Sequence, residues 1–243
     1  MFQGFSDQTI DFMWGIRFNN ERGWFEQHKE EYLQTFYRPM QALSQEVWEA
    51  VDGAYPDLGL VRRVTRIYRD ARRLHGRGPY KDRLWFTLER PAEYWEIRPA
   101  FWFELEPEGY SYGLGYYMAP PVMMAKFRAR LDADPKPFSK LARQLARQER
   151  FHLEAQPYKR PKGDPDPLLY DWYNARSFSL SCDRAHDSLL FSHDLVDELA
   201  AGFGELTPFY RYPLPGGGPG PPVCLTNTKI DSAQRPSAGD TTV

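Results

Sequence analysis

Residues 61–86 read VRRVTRIYRDARRLHGRGPYKDRLWF, and along them the apolar period of the chain changes from about 3.6 residues to two. Arg62, Arg63, Arg66, Arg69, Arg72, Arg73, Arg77, Lys81 and Arg83 stand here against only Asp70 and Asp82. The pattern predicts two strands, roughly residues 62–69 and 83–89, joined by a Gly-rich basic loop. Helices before this stretch and strands after it make the fold α+β.

Upstream, Ser6 is placed to cap a helix carrying Ile10, Met13, Trp14 and Arg17 at helical spacing. Asn19-Asn20 breaks that helix, and a second follows with Phe25, His28, Tyr32 and Phe36 on one stripe. Pro39 fits the first turn of a third, whose buried face is Met40, Leu43, Val47, Val51 and Ala54. Trp24 and Trp48 are expected to seat these helices on a sheet. Downstream, Leu84, Phe86 and Leu88 alternate with Trp85 and Thr87, and Phe101, Phe103 and Leu105 with Trp102, Glu104 and Glu106. Pro-Glu-Gly at 107–109 then turns the chain into a hairpin with residues 110–118. Connections this short admit no crossover helices, so the sheet is mostly antiparallel, with about four strands.

Further helices are predicted from Pro120-Pro121 through Met124, Phe127 and Leu131, and then through Phe138, Leu141 and Leu145. A strand near 151–155, a short helix opened by Asp166-Pro167, a strand near 178–181 and a last helix through Leu195, Leu199, Phe203 and Leu206 complete the pattern. The expected organisation is a single domain over residues 1–212, its sheet packed with N-terminal and C-terminal helices. After Tyr212 the chain reads PLPGGGPGPPV and then polar residues. That composition leaves too little apolar surface to offset ordering entropy, so residues 213–243 are read as a disordered tail.

Bulk properties narrow the function classes. Across 243 residues the net charge is −2, so any attraction to phosphate must come from a local patch. Cys182 and Cys224 show no zinc or CxxC spacing. The opening residues lack the basic and apolar regions of a signal peptide, and no apolar run approaches the roughly 20 residues of a membrane span. The expectation is a cytoplasmic protein without membrane association.

Three readings compete for the basic stretch. In the first, Arg66, Arg69, Asp70, Arg72, Tyr80 and Lys81 form a site for a phosphorylated or otherwise anionic ligand, with nucleotide or nucleic acid as candidates. Arg forks suit phosphate oxygens, Lys adds a point charge, and Gly76 and Gly78 free the loop backbone. Tyr80 and Lys81 would point into one concavity, and the loop with Lys159 and Arg160 would join them if the fold brought the two together. No GxxxxGK[ST] phosphate loop is present. In the second reading Asp70, Glu104 and Glu106 hold a divalent metal in a phosphoester hydrolase or nuclease, since E-x-E on a strand faces one way. In the third the arginines are paired internally and serve the fold or a protein partner. No cofactor is specified by any motif; His75 and His152, beside basic or polar residues, are candidates for acid/base work, and His186 and His193 lack the i, i+4 spacing of a helical metal pair.

Several short motifs taken together resemble one family. They are Phe2–Phe5, Asn19-Asn20-x-Arg22-x-Trp24-Phe25 with Lys29 and Tyr32, Arg66-Ile67-x-Arg69-Asp70-x-Arg72 and Pro79-Tyr80-Lys81. Gly113-x-Gly115-x-Tyr117 with Arg128, and Tyr158-Lys159-Arg160, follow. The chain is similar here to the conserved proteins grouped as domain of unknown function 2461, over most of residues 2–212. It departs where many members carry Phe-Ser-Lys-Asp-Lys-Ser, reading instead Arg73-Leu74-His75-Gly76-Arg77-Gly78. The loop stays basic but loses an acid and two serines. The resemblance implies family membership and no particular activity.

Overall fold

A computed structural model describes residues 1–70, 72, 76, 78–91, 98–116 and 118–212. Arg73, His75, Arg77, Tyr117, Cys224 and the tail expected over 213–243 lie outside the described residues. The alternating segments build a six-stranded sheet, antiparallel throughout. Its strands are β1 (Val61–Val64), β2 (Leu84–Glu89), β3 (Ala100–Glu106), β4 (Gly109–Gly115), β5 (His152–Pro157) and β6 (Ala175–Arg184). They lie in the order β1-β2-β3-β4-β6-β5. Two of the six come from the segments near 151–155 and 178–181, which extend the expected four strands on one side. The fold class is α+β, as the periodicity predicts.

Alternation on β2 and β3 falls as expected. Leu84, Phe86, Leu88, Phe101, Phe103 and Leu105 are fully buried, and the residues between them are half-buried. One face of the sheet therefore carries the core. Phe103 stacks with Phe86 at 5.6 Å and with Phe5 at 6.3 Å, and lies 5.9 Å from Tyr110. Phe101 meets Phe203 and Tyr210 of the final helix, α8, at 5.1 and 5.2 Å.

The helices differ from expectation in two places. Helix α1 (Asp7–Phe18) buries Thr9, Phe12, Met13 and Ile16, sharing only Met13 with the predicted face. Thr9 explains the rotation, because its hydroxyl donates to the Thr35 carbonyl at 2.6 Å. Arg17 is turned outward, its guanidinium 4.9 Å from the Trp14 ring. After α2 (Arg22–Gln27), the segments α3 (Lys29–Glu31), a π turn (Tyr32–Tyr37) and α4 (Arg38–Ala54) run on without a break. Pro39 therefore does not open a new helix. In the π turn the Arg38 N–H reaches the Leu33 carbonyl, and this wider turn accommodates a ring that would strike the carbonyl four residues back in an ordinary helix. Met40, Leu43, Val47 and Val51 are buried as predicted, whereas Ala54, at the helix end, is exposed.

Trp48 does seat α4 beside the sheet, donating from Nε1 to the Leu60 carbonyl at 2.8 Å. Trp24 instead stacks on His28 at 3.9 Å and packs against Phe12. The later helices are α5 (Pro121–Ala133), α6 (Lys136–Leu145), α7 (Tyr170–Asn174) and α8 (Leu195–Arg211). Among the described residues no helix is long and apolar enough to cross a membrane.

Phe103 is fully buried against three rings, so Phe103→Ala is expected to cost about 3–5 kcal/mol of unfolding free energy. Thr87→Ala, on the opposite sheet face, is expected to cost under about 1 kcal/mol. Urea unfolding of the two variants measures the contrast, and equal losses would contradict a one-sided core.

Candidate functional site

The basic segment leaves the sheet earlier than its alternation suggests. Strand β1 ends at Val64, and Thr65 explains why. The Thr65 hydroxyl donates to the Trp85 carbonyl at 3.0 Å and accepts from the Trp85 N–H at 3.2 Å, taking ladder positions with a side chain. Beyond it the two arms touch again at an isolated Tyr68–Tyr80 bridge. There Arg69 N–H donates to the Pro79 carbonyl and Lys81 N–H to the Ile67 carbonyl, each at 2.8 Å.

Asn20 pins this outer ladder to the helices. Its carboxamide accepts from the Tyr80 N–H and donates to the Tyr80 carbonyl, both at 2.9 Å. Approach this close needs a glycine, since a Cβ on Gly78 would lie 2.2 Å from the Asn20 oxygen. The Tyr80 ring is buried and stacks on Phe25 at 4.2 Å. Tyr80 and Lys81 consequently face different surroundings, because Lys81 lies over Trp85, its Nζ 4.5 Å from the ring centroid.

Most of the segment's described cations are engaged within the fold. Arg62 points toward α4 and donates to Gln45, Gln41 and Ser44 at 2.7–3.1 Å. Arg63 pairs with Glu89 at 3.3 Å. Arg69 donates from Nε to the Tyr80 carbonyl at 2.7 Å and lies 3.6 Å from Asp82. Asp82 also meets Arg17, which forks to Glu108 as well. Arg83 bridges Glu104 at 3.4 Å and Glu106 at 3.0 Å. Asp70 accepts from the Arg72 N–H at 3.0 Å, a local turn bond.

Three cations face outward from this framework. Arg66 and Arg72 are exposed, and their guanidinium groups have no hydrogen bond or ion pair among the described residues. Lys81 donates from Nζ to the Arg66 carbonyl. Partial burial and the charges of Arg66 and Arg69, opposed by Glu104, bring its ammonium down from 10.5 to about 8. Beside Arg66 lies a shallow groove of about 210 Å³ lined by Phe25, Lys29, Tyr32, Leu33, Tyr37, Arg66, Ile67 and Tyr68. Its floor is aromatic, and burial pushes the Tyr32 hydroxyl well above its ordinary value.

The second basic loop does not join this site. The segment 65–83 leaves one end of the sheet at the β1 edge, whereas β5 runs the opposite way from β6 and releases Lys159 and Arg160 at the other end, on the other edge. Five strand spacings of about 4.8 Å separate the two edges.

The metal reading meets a different arrangement too. Glu104 and Glu106 converge on Arg83, and burial raises the Glu104 carboxyl while Arg83 draws it down. The cluster with metal-ligand spacing among the described residues is His152, Glu154 and Asp183, all exposed on the far edge. His186 meets the Glu106 carbonyl at 3.1 Å, and His193 meets Glu46 at 2.9 Å.

Sequence reasoning placed the candidate site on this segment and named Asn20 only as a helix break and in the family resemblance, and Lys29 only in that resemblance, giving neither a role at the site. Lys29 had a signal, its place four residues after Phe25 on a helix face. Nothing local in the sequence assigns Asn20 to the Tyr80 backbone, 60 residues away.

Residues 8–212 match the family model described as "Conserved hypothetical protein (DUF2461)". The chain belongs to that family. No curated protein matches it.

Asn20→Ala would leave the Tyr80 N–H without its acceptor, at a cost of about 1–3 kcal/mol. The same variant is expected to speed amide exchange at Tyr80 and Lys81 well before β2 and β3 exchange. Hydrogen exchange read by mass spectrometry tests this, and unchanged protection over residues 66–83 would show that the clamp is dispensable.

Proposed function

We propose that the protein is a binding module for a phosphorylated or otherwise anionic ligand, nucleotide-like ligands first among the candidates and nucleic acid behind them. The observation that carries this reading is the aromatic groove rimmed by Lys29 and Arg66, with Lys81 held against the Arg66 carbonyl. At about 210 Å³ the groove is smaller than the roughly 300–1,000 Å³ typical of small-molecule pockets. A single planar ring fits that space, with the charged part of the ligand outside, against Arg66, Lys81 and Arg72. Aromatic floor and guanidinium rim are the two components of base stacking and phosphate binding.

The competing reading, in which the arginines serve only the fold, fits Arg62, Arg63, Arg69 and Arg83. Arg66 and Lys81 separate the two. Of the residues first singled out, Arg66, Arg72 and Lys81 are the contacts in this proposal, and Arg69, Asp70 and Tyr80 are supports. Lys159 and Arg160 fall outside it.

A thermal-shift series with inorganic phosphate, pyrophosphate, nucleotides and short oligonucleotides tests the proposal at low and high salt. A ligand that binds only the native state stabilises it by mass action, by about 3 kcal/mol at a hundredfold excess over Kd, and so raises the midpoint. The expected result is a saturable rise with a nucleotide that Arg66→Ala and Lys29→Ala each abolish. A rise untouched by both variants, or none with any anion, would overturn it.

Lys81 adds a test through pH. Below about 8 it is charged in folded and unfolded chains alike, and its unfavourable surroundings are fully felt. Between about 8 and 10.5 the unfolded chain holds more protons, so this group makes stability rise with pH. Lys81→Met is therefore expected to match or exceed the parent in midpoint at pH 7, by up to about 2–4 °C. The gain should shrink above pH 8, and the ligand response should be lost throughout. A lower midpoint at pH 7 would show that the ammonium serves the fold.

A further inference from the structure

We infer that a second oxyanion site lies at the opposite end of the sheet, where Arg128 of α5 and Lys162 of the loop after β5 each stand against the Tyr158 ring. Its ligand class is a phosphate monoester in solution. The Arg128 Nη1 is enclosed, and among the described residues no acceptor reaches it. Enclosed guanidinium nitrogens are held by acceptors in folded proteins, because leaving one unmatched forfeits its hydration without replacement. The Arg128 guanidinium carbon stands 5.5 Å from the Tyr158 ring centroid and the Lys162 Nζ 4.6 Å from the same centroid. Two cations drawn to one ring concentrate positive charge there, and an oxyanion would supply both a counter-charge and an acceptor for the unmatched N–H.

The loop carrying Lys162 is firmly built. Asn174 is buried, and its Oδ1 accepts from the Lys162 N–H at 2.6 Å and the Gly163 N–H at 3.3 Å. Its Nδ2 donates to the Gly163 and Tyr170 carbonyls, each at 3.1 Å. The Tyr158 N–H donates to the Asn174 carbonyl at 3.0 Å. Gly163 allows this closeness, since a Cβ there would come within 2.7 Å of the Tyr173 ring. The cations are thus presented from a fixed backbone, the preorganisation that an anion site needs.

Acidic neighbours do not neutralise the group. Asp132, one turn beyond Arg128, accepts from the Tyr173 hydroxyl at 3.0 and 3.2 Å and forms no ion pair with Arg128. Asp166 caps the following turn through the Leu168 N–H. Lys159 and Arg160, exposed on the same loop, add positive charge at the mouth.

Isothermal titration of the full chain with inorganic phosphate, and with phosphoserine as the monoester probe, tests the site. The Arg66→Ala background removes the hairpin contribution, so the two sites fail independently. Saturable phosphate binding is expected to survive in that background. Lys162→Ala or Arg128→Gln added to it is expected to weaken binding by at least about tenfold. Lys162 is exposed, so its variant should fold even if the Arg128 variant does not, and near-ultraviolet circular dichroism checks both. No saturable binding in the Arg66→Ala background would overturn the inference. Binding that Lys162→Ala leaves unchanged would do the same.

Discussion

One carboxamide does the work of a missing strand. Past Thr65 the basic segment has a single bridge to hold it, and Asn20 meets the Tyr80 N–H and carbonyl as a neighbouring strand would. That pairing fixes which way consecutive side chains face. Tyr80 goes inward onto Phe25, and Lys81 goes out over Trp85. Arg69 then caps the same Tyr80 carbonyl from beneath. The outward set, Arg66 and Lys81, is positioned by a residue that never touches either side chain.

The electrostatics follow from this frame. Arg62, facing a helix, is satisfied by neutral oxygens of Gln41, Gln45 and Ser44, so its hydrogen bonds are met while its charge remains uncompensated. The pairs of Arg63, Arg69 and Arg83 with carboxylates lie away from the groove, at or near the surface, where such pairs contribute little to stability. A chain of nearly zero net charge thus keeps a local positive field at one end. Partial burial first, and then that field from Arg66 and Arg69, draw the Lys81 ammonium down to about 8.

Much of the architecture was legible because one-sided burial writes itself into the chain. Leu84-Phe86-Leu88 and Phe101-Phe103-Leu105 must alternate when helices cover one face only, and α4 must repeat its apolar residues at helical spacing. What the sequence hid was non-local. The hydroxyl of Thr65 ends β1 through a bond to Trp85, 20 residues on, and Thr9 turns α1 through Thr35. Residue types located the basic segment, but a basic residue looks alike in sequence whether it is paired or free. Only the partners, contributed by α4, by Tyr80 and Asp82 of the segment itself and by β3, separate Arg62, Arg69 and Arg83 from Arg66.

Topology also limits what a ligand can be. The two cationic groups lie on opposite edges and opposite ends of the sheet, about 24 Å apart across the strands alone. No single nucleotide spans that distance. A longer polyanion crossing the sheet face opposite the core would meet Glu104 and Glu106, which share one arginine, and then Asp183 and Glu154 beside His152. Repulsion along that path opposes a continuous nucleic-acid strand and favours small ligands held separately at each end.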